Sequence, residues 1–461
     1  IDDLKKAEDY IGWAEEMQSN SYYEINADFP TKAAIKAFRA RISLAAAGYS
    51  QYPKSDPVDR EFTLVDRPVG NALRCRIARV DNTRRIELLT EARDACKEIY
   101  QRYGTSKLTA DFEKIFKTSL AGGTESEVLW QLRYESEKQR YMGNKHAAGG
   151  VFGPNYTSDW GARYYVMPTF FFDFSEGDTR RDITCQPFQW ASNIQQAVKI
   201  NNMSFGKKRK EWLPNLATGA ATFTPNIVVR YADVLLMLAE AENELNGPTG
   251  EAQEAFMAVR NRAFGGNAAL ASAGLDLSSQ ESFFNAIVNE RAFEFAGEQI
   301  RRADLIRWGL LKTKIDDTKE KLQLLKGSDA VRQTPYDWVP TDVYTRKSTK
   351  PASAFLSDFF AGTAITALDF YGFNRGENAA SADEVPGGAY DADTNPTGWT
   401  KVTSTVWGAG NSTIASSWYD CLYINGTNAP DEMQLLPVTP NIRALTNETM
   451  KDDYGYYTTG L

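Results

Sequence analysis

Four long segments of this chain repeat apolar residues at the spacing of an α-helix, and this periodicity constrains the fold more than any other feature. Apolar side chains recur three and four residues apart in each segment, which predicts one buried face per helix. Each segment stops at or just before a glycine, as helices commonly do. The segments are 31–48, 84–103, 230–245 and 251–263.

The four segments form two pairs, and alanines stand where the two helices of a pair would meet. Small residues let helices approach closely, as in stacked tetratricopeptide-type hairpins. The stretch 49–83 interrupts the first pair, so the repeat has no fixed period. We therefore predict a mainly α fold of helical hairpins with long insertions. A fifth helix is predicted over 281–311, where charged residues of both signs recur.

Two stretches without helical periodicity, about 143–225 and 335–440, are rich in glycine, proline and aromatic residues. Loops of this length usually carry function. An indole ring offers a rigid apolar face, and the C–H faces of sugar rings match it in size. Three tryptophans fall in helical patterns and are predicted as core residues: Trp13, Trp130 and Trp308. Seven others lie in the two stretches: Trp160, Trp190, Trp212, Trp338, Trp399, Trp407 and Trp418.

The segment 155–163 combines aromatic rings with side chains that hydrogen-bond hydroxyl groups, all within nine positions. This combination is what a sugar-binding loop needs, because rings stack and polar groups orient the ligand. The predicted ligand-binding residues are Trp160, Tyr156, Asp159, Asn155 and Arg163, together with Trp212 and Trp190 from the same stretch.

Composition excludes several other functions. The formal net charge of −8 argues against a nucleic-acid partner. A single histidine and four widely spaced cysteines provide no zinc or redox motif, so no cofactor is predicted. Asp391, Asp393 and Asn395 resemble half of a calcium loop, which leaves a structural calcium ion open. Whether Cys185 and Cys421 pair is also left open.

Carboxylate pairs keep a glycoside hydrolase open as a weaker alternative, because that chemistry needs only two acids. The candidates are Asp173 with Glu176, Asp178 with Asp182, and Asp391 with Asp393. Sixty acidic residues produce such pairs by chance. Charged residues between 290 and 307 alternate in sign on neighbouring turns, which indicates an ion network that joins helices rather than a reactive centre. We therefore predict a binding protein and no enzyme.

Three motifs resemble the SusD/RagB family. The sequence R-Y-A-D-V-L-L-M-L-A-E-A-E-N-E at 230–244 resembles one family helix. E-R-A-F-E-F at 290–295, followed by R-R-A-D-L-I-R-W-G at 301–309, resembles a second. L-P-V at 436–438 and Y-G-Y at 454–456 are similar to the family's C-terminal motif. One position departs from the pattern E-G-x-R, because Gln299 replaces a glycine expected where chains pack tightly.

The resemblance implies a surface lipoprotein of Bacteroidetes that captures glycans, or peptides in RagB-like members, for a SusC-like TonB-dependent transporter. It implies one SusD-like unit over 1–461, with TPR-like helix pairs at about 31–104 and 228–311 and a ligand face at about 143–225 and 335–440. The family's upstream part, with a lipobox cysteine and an F-L-R-A helix, is not expected in this chain. The implied location is the cell outer membrane, lipid-anchored and facing outward.

Overall fold

The computed structural model describes residues 1–17, 27–53, 64–67, 75–133, 165–191, 193–212, 225–327, 331–356, 362 and 364–402. Helices dominate its regular structure. They are α1 (Asp2–Tyr10), α2 (Ala14–Met17), α3 (Lys32–Ala47), α4 (Asn82–Tyr103), α5 (Phe112–Leu120), α6 (Pro168–Asp173), α7 (Arg181–Thr184), α8 (Tyr231–Asn246), α9 (Gly250–Ala263), α10 (Ala268–Ser272), α11 (Gln280–Phe295), α12 (Arg301–Arg307) and α13 (Leu311–Lys326).

The strands are short and pair antiparallel in small sheets. They are β1 (Ser50–Pro53), β2 (Leu64–Arg67), β3 (Cys75–Val80), β4 (Val128–Leu132), β5 (Cys185–Gln186), β6 (Phe188–Ala191), β7 (Ile194–Ala197), β8 (Ser204–Phe205), β9 (Asn226–Arg230), β10 (Tyr344–Lys347), β11 (Leu368–Tyr371) and β12 (Thr400–Lys401). The sheet order is β1-β3-β2 in the stretch that separates α3 from α4, and β11-β10-β12 in the last described part. The predicted mainly α fold is confirmed.

Helix α8 is the centre of the largest hydrophobic core. Every residue from 231 to 243 is buried, so this helix has no solvent-facing side over that length. Helix α3 packs on α4, α4 on α8, and α8 on α9 and α11. All four helices predicted from periodicity are present, and each end lies within two residues of its predicted position. The grouping of these ranges into units remains a prediction.

Side-chain caps explain where these helices begin. The hydroxyl of Thr31 accepts a hydrogen bond from the backbone N–H of Ala34, 3.5 Å away, at the start of α3. The carboxylate of Asp81 accepts from two backbone N–H groups at the start of α4. Thr249 caps α9 in the same way. Caps satisfy donors that have no partner inside the helix, so they fix its first turn.

The predicted fifth helix is wrong as a single element, because the chain breaks between Phe295 and Arg301. Gly297 and Gln299 both adopt left-handed backbone, with φ of 80° and 64°. A helix cannot continue through such residues. Glycine is the residue suited to this conformation, so Gln299 occupies a position whose φ angle favours glycine.

Trp130 lies on strand β4 and not on a helix, which corrects a second expectation. β4 pairs with β9, and the Trp130 ring meets the edge of Phe38 on α3, with ring centroids 5.9 Å apart. The ring is partly buried against the largest core. Its predicted role in packing therefore holds, whereas its predicted secondary structure does not.

Two buried ion clusters join the elements of the family motifs. In the first, Arg291 donates to Asp233 at 2.7 Å and to Asp304 at 2.8 Å. Arg41 of α3 also pairs with Asp233, at 2.6 Å, and Arg307 pairs with Asp304 at 2.8 Å. This cluster ties α3, α8, α11 and α12 together.

The second cluster surrounds Glu294. Its carboxylate accepts hydrogen bonds from Arg180 at 2.8 Å and Arg262 at 2.5 Å, and it also pairs with Arg230. The Glu127 carboxylate bridges Arg230 and Arg262, at 2.8 and 3.0 Å. All of these side chains are buried, and cations and carboxylates alternate. The sequence interpretation of a structural ion network is confirmed.

Candidate functional site

The predicted ligand loop lies outside the described residues. This applies to Asn155, Tyr156, Asp159, Trp160 and Arg163, so their binding roles remain predictions. The same holds for Trp407 and Trp418. The chain is described again from Tyr165, two positions after the loop, and that residue is the starting point for the site.

The prediction that Trp190 and Trp212 expose their rings to a ligand is wrong. Trp190 on β6 and Trp212 expose only 2% and 1% of their surface. Both belong to a hydrophobic cluster with Phe116 of α5, and the Arg209 guanidinium lies 4.9 Å from the centre of the Trp212 ring. Trp190 points inward because alternate side chains of a strand face opposite sides, and this position of β6 faces the core.

An open groove of about 580 Å³ begins at Tyr165 and runs between α6, α11, α12 and α13. Tyr165 is 44% exposed. Three partly buried phenylalanines continue the apolar lining: Phe170, Phe205 and Phe293. Phe170 stacks on Phe293 with ring centroids 5.5 Å apart, so the rings form one continuous apolar wall. We call this depression the α6 groove.

Polar side chains of both signs also line the α6 groove. Lys321 pairs with Asp173 at 2.6 Å, and Lys314 pairs with Asp317 at 3.3 Å. Arg301 donates to the backbone carbonyl of Val288 at 2.7 Å. Burial lowers the pKa of Arg301 to about 10, so the guanidinium stays charged near neutral pH. The groove therefore offers hydrogen-bond donors and acceptors beside an aromatic wall.

A second depression, of about 320 Å³, adjoins the C-terminal end of α6. Its lining includes Trp338, Tyr336, Glu176 and Arg375, and we call it the Trp338 pocket. Trp338 is partly buried, and the Arg375 guanidinium lies 4.3 Å from the centre of its ring. Asp173 lines both depressions.

Tyr336 and Asp173 form the boundary between the two depressions. The Tyr336 hydroxyl donates to the Asp173 carboxylate at 2.7 Å. Burial, and then the charge of Asp173, raises the pKa of Tyr336 far above its ordinary value, so the phenol remains a donor. The sequence alone does not predict this contact, because the two residues are far apart in the chain.

Most of the carboxylates considered for catalysis have structural partners. Asp178 pairs with buried Arg180 at 2.7 Å, and Asp182 with Arg181 at 2.7 Å. Asp391 accepts hydrogen bonds from the backbone N–H groups of the residues two and three positions later, which is a turn. Asp173 and Glu176, the remaining candidate pair, both line one surface depression, and the Asp173 carboxylate is already bonded to Lys321 and Tyr336.

Asn395, the third residue of the calcium-like sequence, donates its side-chain amide to the carbonyls of Gly387 and Ala389 at 2.8 and 2.7 Å. Within the described ranges, no group of three or more acidic, histidine or cysteine side chains is placed to hold a metal ion. Cys185 is buried, and Cys421 lies outside the described residues.

A buried helical scaffold that carries open, aromatic-lined depressions beside its loops is the architecture implied by the sequence motifs. The model of the SusD family matches residues 214–456, more than half of the chain. The chain therefore belongs to the SusD family, and the recognition made from the motifs is confirmed.

The chain is similar to SusD-like protein P25 of Formosa agariphila, with 50% identity over 91 residues. That segment is 20% of this chain and 16% of the relative. A SusD homolog from Bacteroides thetaiotaomicron shares the fold with a TM-score of 0.55 and 24% identity, over 70% of this chain and 60% of that one. A SusD superfamily protein from Parabacteroides distasonis matches at a TM-score of 0.46 and 18% identity, over 66% and 56%.

Among the described residues, no helix is both long enough and apolar enough to cross a lipid bilayer.

Proposed function

We propose that this protein captures an oligosaccharide or polysaccharide at the cell surface without cleaving it, and delivers it to a SusC-like TonB-dependent transporter. Membership of the SusD family supports this proposal. The observation that carries it is the α6 groove, whose lining combines exposed Tyr165 and a phenylalanine wall with paired charges. The predicted loop 155–163 precedes that groove directly in the chain.

Sugar binding suits this combination of groups. Aromatic faces contact the C–H faces of pyranose rings, and lysine, aspartate and asparagine side chains bond the hydroxyl groups around the ring edge. Each such contact contributes about 1 kcal/mol. A few contacts therefore give dissociation constants of roughly micromolar to millimolar, which allow release to a transporter.

The described carboxyl groups whose pKa is displaced lack the property of a catalytic acid. A glycoside hydrolase requires a carboxylic acid whose pKa is raised, so that it can protonate the leaving group. In the part of the chain described, each carboxyl group with a displaced pKa is displaced downward. These acids face cations or N–H donors and remain ionised.

Delivery to the transporter is the finer part of the proposal. The SusD-family resemblance implies a lipid-anchored protein on the outer face of the outer membrane that moves as a hinged lid over the transporter barrel. Such closure is a conformational step between two states. Co-purification of the native protein with a TonB-dependent transporter tests this part independently of ligand binding.

The test of ligand class is a glycan array run beside a peptide panel, followed by product analysis. We expect glycans to bind and to be recovered intact. Tyr165→Ala should weaken binding about fivefold, since it removes one exposed ring from the groove. Tyr390→Ala is the matched control, because Tyr390 is 53% exposed and lines neither depression. Binding of peptides alone would favour a RagB-like receptor, and shortened glycans would favour a hydrolase.

The predicted loop has its own test. Trp160→Ala should weaken glycan binding by an amount similar to Tyr165→Ala, because the loop residues are proposed to contact the same ligand. Unchanged affinity in Trp160→Ala, with reduced affinity in Tyr165→Ala, would remove the loop from the site and leave the groove in place.

A further inference from the structure

We propose that the α6 groove and the Trp338 pocket are two subsites of one extended site, which binds a neutral glycan chain of several sugar units across the end of α6. This inference rests on the proposed glycan-binding function and specifies its ligand. It assigns a role in binding to Trp338, Arg375 and Glu176, none of which lies in the predicted loop.

Asp173 joins the two subsites. It is the last residue of α6, and its carboxylate is hydrogen-bonded from both sides. Lys321 of the groove donates at 2.6 Å, and Tyr336 of the pocket donates at 2.7 Å. The boundary between the depressions is therefore a polar contact at a helix end, where sugar hydroxyls can bond as a chain passes over it.

The charges around the combined site favour a neutral ligand. Four cations line it, Arg301, Lys314, Lys321 and Arg375, together with three carboxylates, Asp173, Asp317 and Glu176. Two of these carboxylates are already paired with lysines of the same lining. A site for a polyanion would present a clear excess of positive charge, because buried or half-buried charges need partners.

The pocket is organised before any ligand binds. The Glu377 carboxylate accepts the backbone N–H groups of residues 372, 373 and 374 at 2.9 to 3.0 Å, and the Asn374 side chain at 2.7 Å. Arg181 donates to the carbonyl of Phe373 at 3.0 Å, which ties this loop to α7. The loop thus presents Arg375 over the indole of Trp338. Because little freedom remains to be lost, hydrogen bonds from this guanidinium contribute more to affinity.

Ligand length follows from the size of the two depressions. Their volumes are about 580 and 320 Å³, so a short oligosaccharide occupies one of them only. A longer chain reaches both, and its second contact forms at a high effective concentration. Affinity should therefore rise with chain length, and the rise should depend on the Trp338 pocket.

The experiment measures dissociation constants by calorimetry for neutral oligosaccharides from disaccharide to octasaccharide, of the linkage that the array selects. Arg375→Met keeps an apolar side chain over Trp338 and removes the N–H donors of the guanidinium group. We expect this variant to bind the octasaccharide about fivefold more weakly and to bind the disaccharide with unchanged affinity. Arg84→Met, at a half-exposed arginine of α4, is the matched control and should change neither.

The outcomes separate this inference from the proposed function. If Tyr165→Ala weakens binding but Arg375→Met has no effect at any length, the second subsite is refuted and glycan binding stands. Equal weakening of short and long ligands by Arg375→Met refutes the length dependence. If oligogalacturonate binds more tightly than neutral chains of equal length, the proposal of a neutral ligand is refuted. If no glycan binds the unaltered protein, the proposed function fails as well.

Discussion

Arg291 places one guanidinium group between two buried carboxylates that come from different helices. Asp233 and Asp304 each hold a second arginine, and Arg307 also pairs with Glu240, so three cations face three carboxylates. A buried charge is tolerated only while its partners are present, because desolvation is otherwise uncompensated. The residue is therefore structural, although its side chain carries the chemistry that catalytic sites also use.

Arg291→Ala is expected to lower the free energy of unfolding by about 3 kcal/mol or more, because it removes one cation from two buried acids. Urea denaturation followed by circular dichroism measures this change. Arg84→Ala provides the comparison, since its pair with Glu87 is solvent-exposed and should contribute less than about 0.5 kcal/mol. A similar loss in both variants would contradict the structural role of the buried cluster.

Glu294 predicts how stability depends on pH. Burial alone would raise the pKa of this carboxyl, but the guanidinium groups of Arg262, Arg230 and Arg180 outweigh burial and hold that pKa well below its usual range. Such a group stabilises the fold at pH values above the pKa that it has in the unfolded chain, about 4.3. This contribution is lost as the pH falls.

The pKa values of Asp233, Glu298 and Asp304 are displaced in the same direction. The free energy of unfolding should therefore decrease steadily as the pH is lowered below about 5. Urea midpoints at a series of pH values measure this. Glu294→Gln should be less stable at pH 7 and show a shallower dependence, and an unchanged slope would remove Glu294 from the explanation.

The elements show what sequence patterns can and cannot predict. Periodicity, alanine content and caps such as Thr31 gave α3, α4, α8 and α9, because each signal lies within the element itself. The break before α12 was missed although Gly297 lies in it, because the second left-handed residue, Gln299, is not a type that signals this backbone. In the sequence, only the departure from the family pattern E-G-x-R marked Gln299. We expect this departure to lower the free energy of unfolding.

Gln299→Gly should be more stable than Gln299→Ala by about 1 kcal/mol. Both variants lose the same side chain, but only glycine adopts a φ of 64° without strain. Thermal unfolding of the two variants side by side measures the difference. Equal melting temperatures would show that the backbone here relaxes out of the left-handed region.

On the scale of the whole molecule, contacts between distant parts of the chain decided what the sequence could not predict. Asp173 meets Tyr336 across 163 positions of the chain, and no local pattern brings such residues together. The same is true of the inward-facing Trp190, whose burial depends on α5. The sequence could predict that aromatic and hydrogen-bonding side chains line the site. It could not predict which distant residues come together there.

The part that matches the family, 214–456, should not fold by itself. Its buried groups Asp233, Glu294 and Arg230 rely on Arg41, Arg180 and Glu127, which all precede it. A fragment beginning at residue 214 is expected to lack a cooperative urea transition, whereas the full chain should show one. A transition of equal midpoint in the fragment would contradict this dependence.

Because Arg291 is shared between two buried acids, the evolution of these positions is constrained. Exchange of one acid in the trio Asp233, Arg291 and Asp304 leaves the remaining ions unbalanced in the interior, so single substitutions are selected against. These three positions should vary together or stay fixed, and their covariation across natural relatives should trace the contact between α8, α11 and α12 without any coordinates.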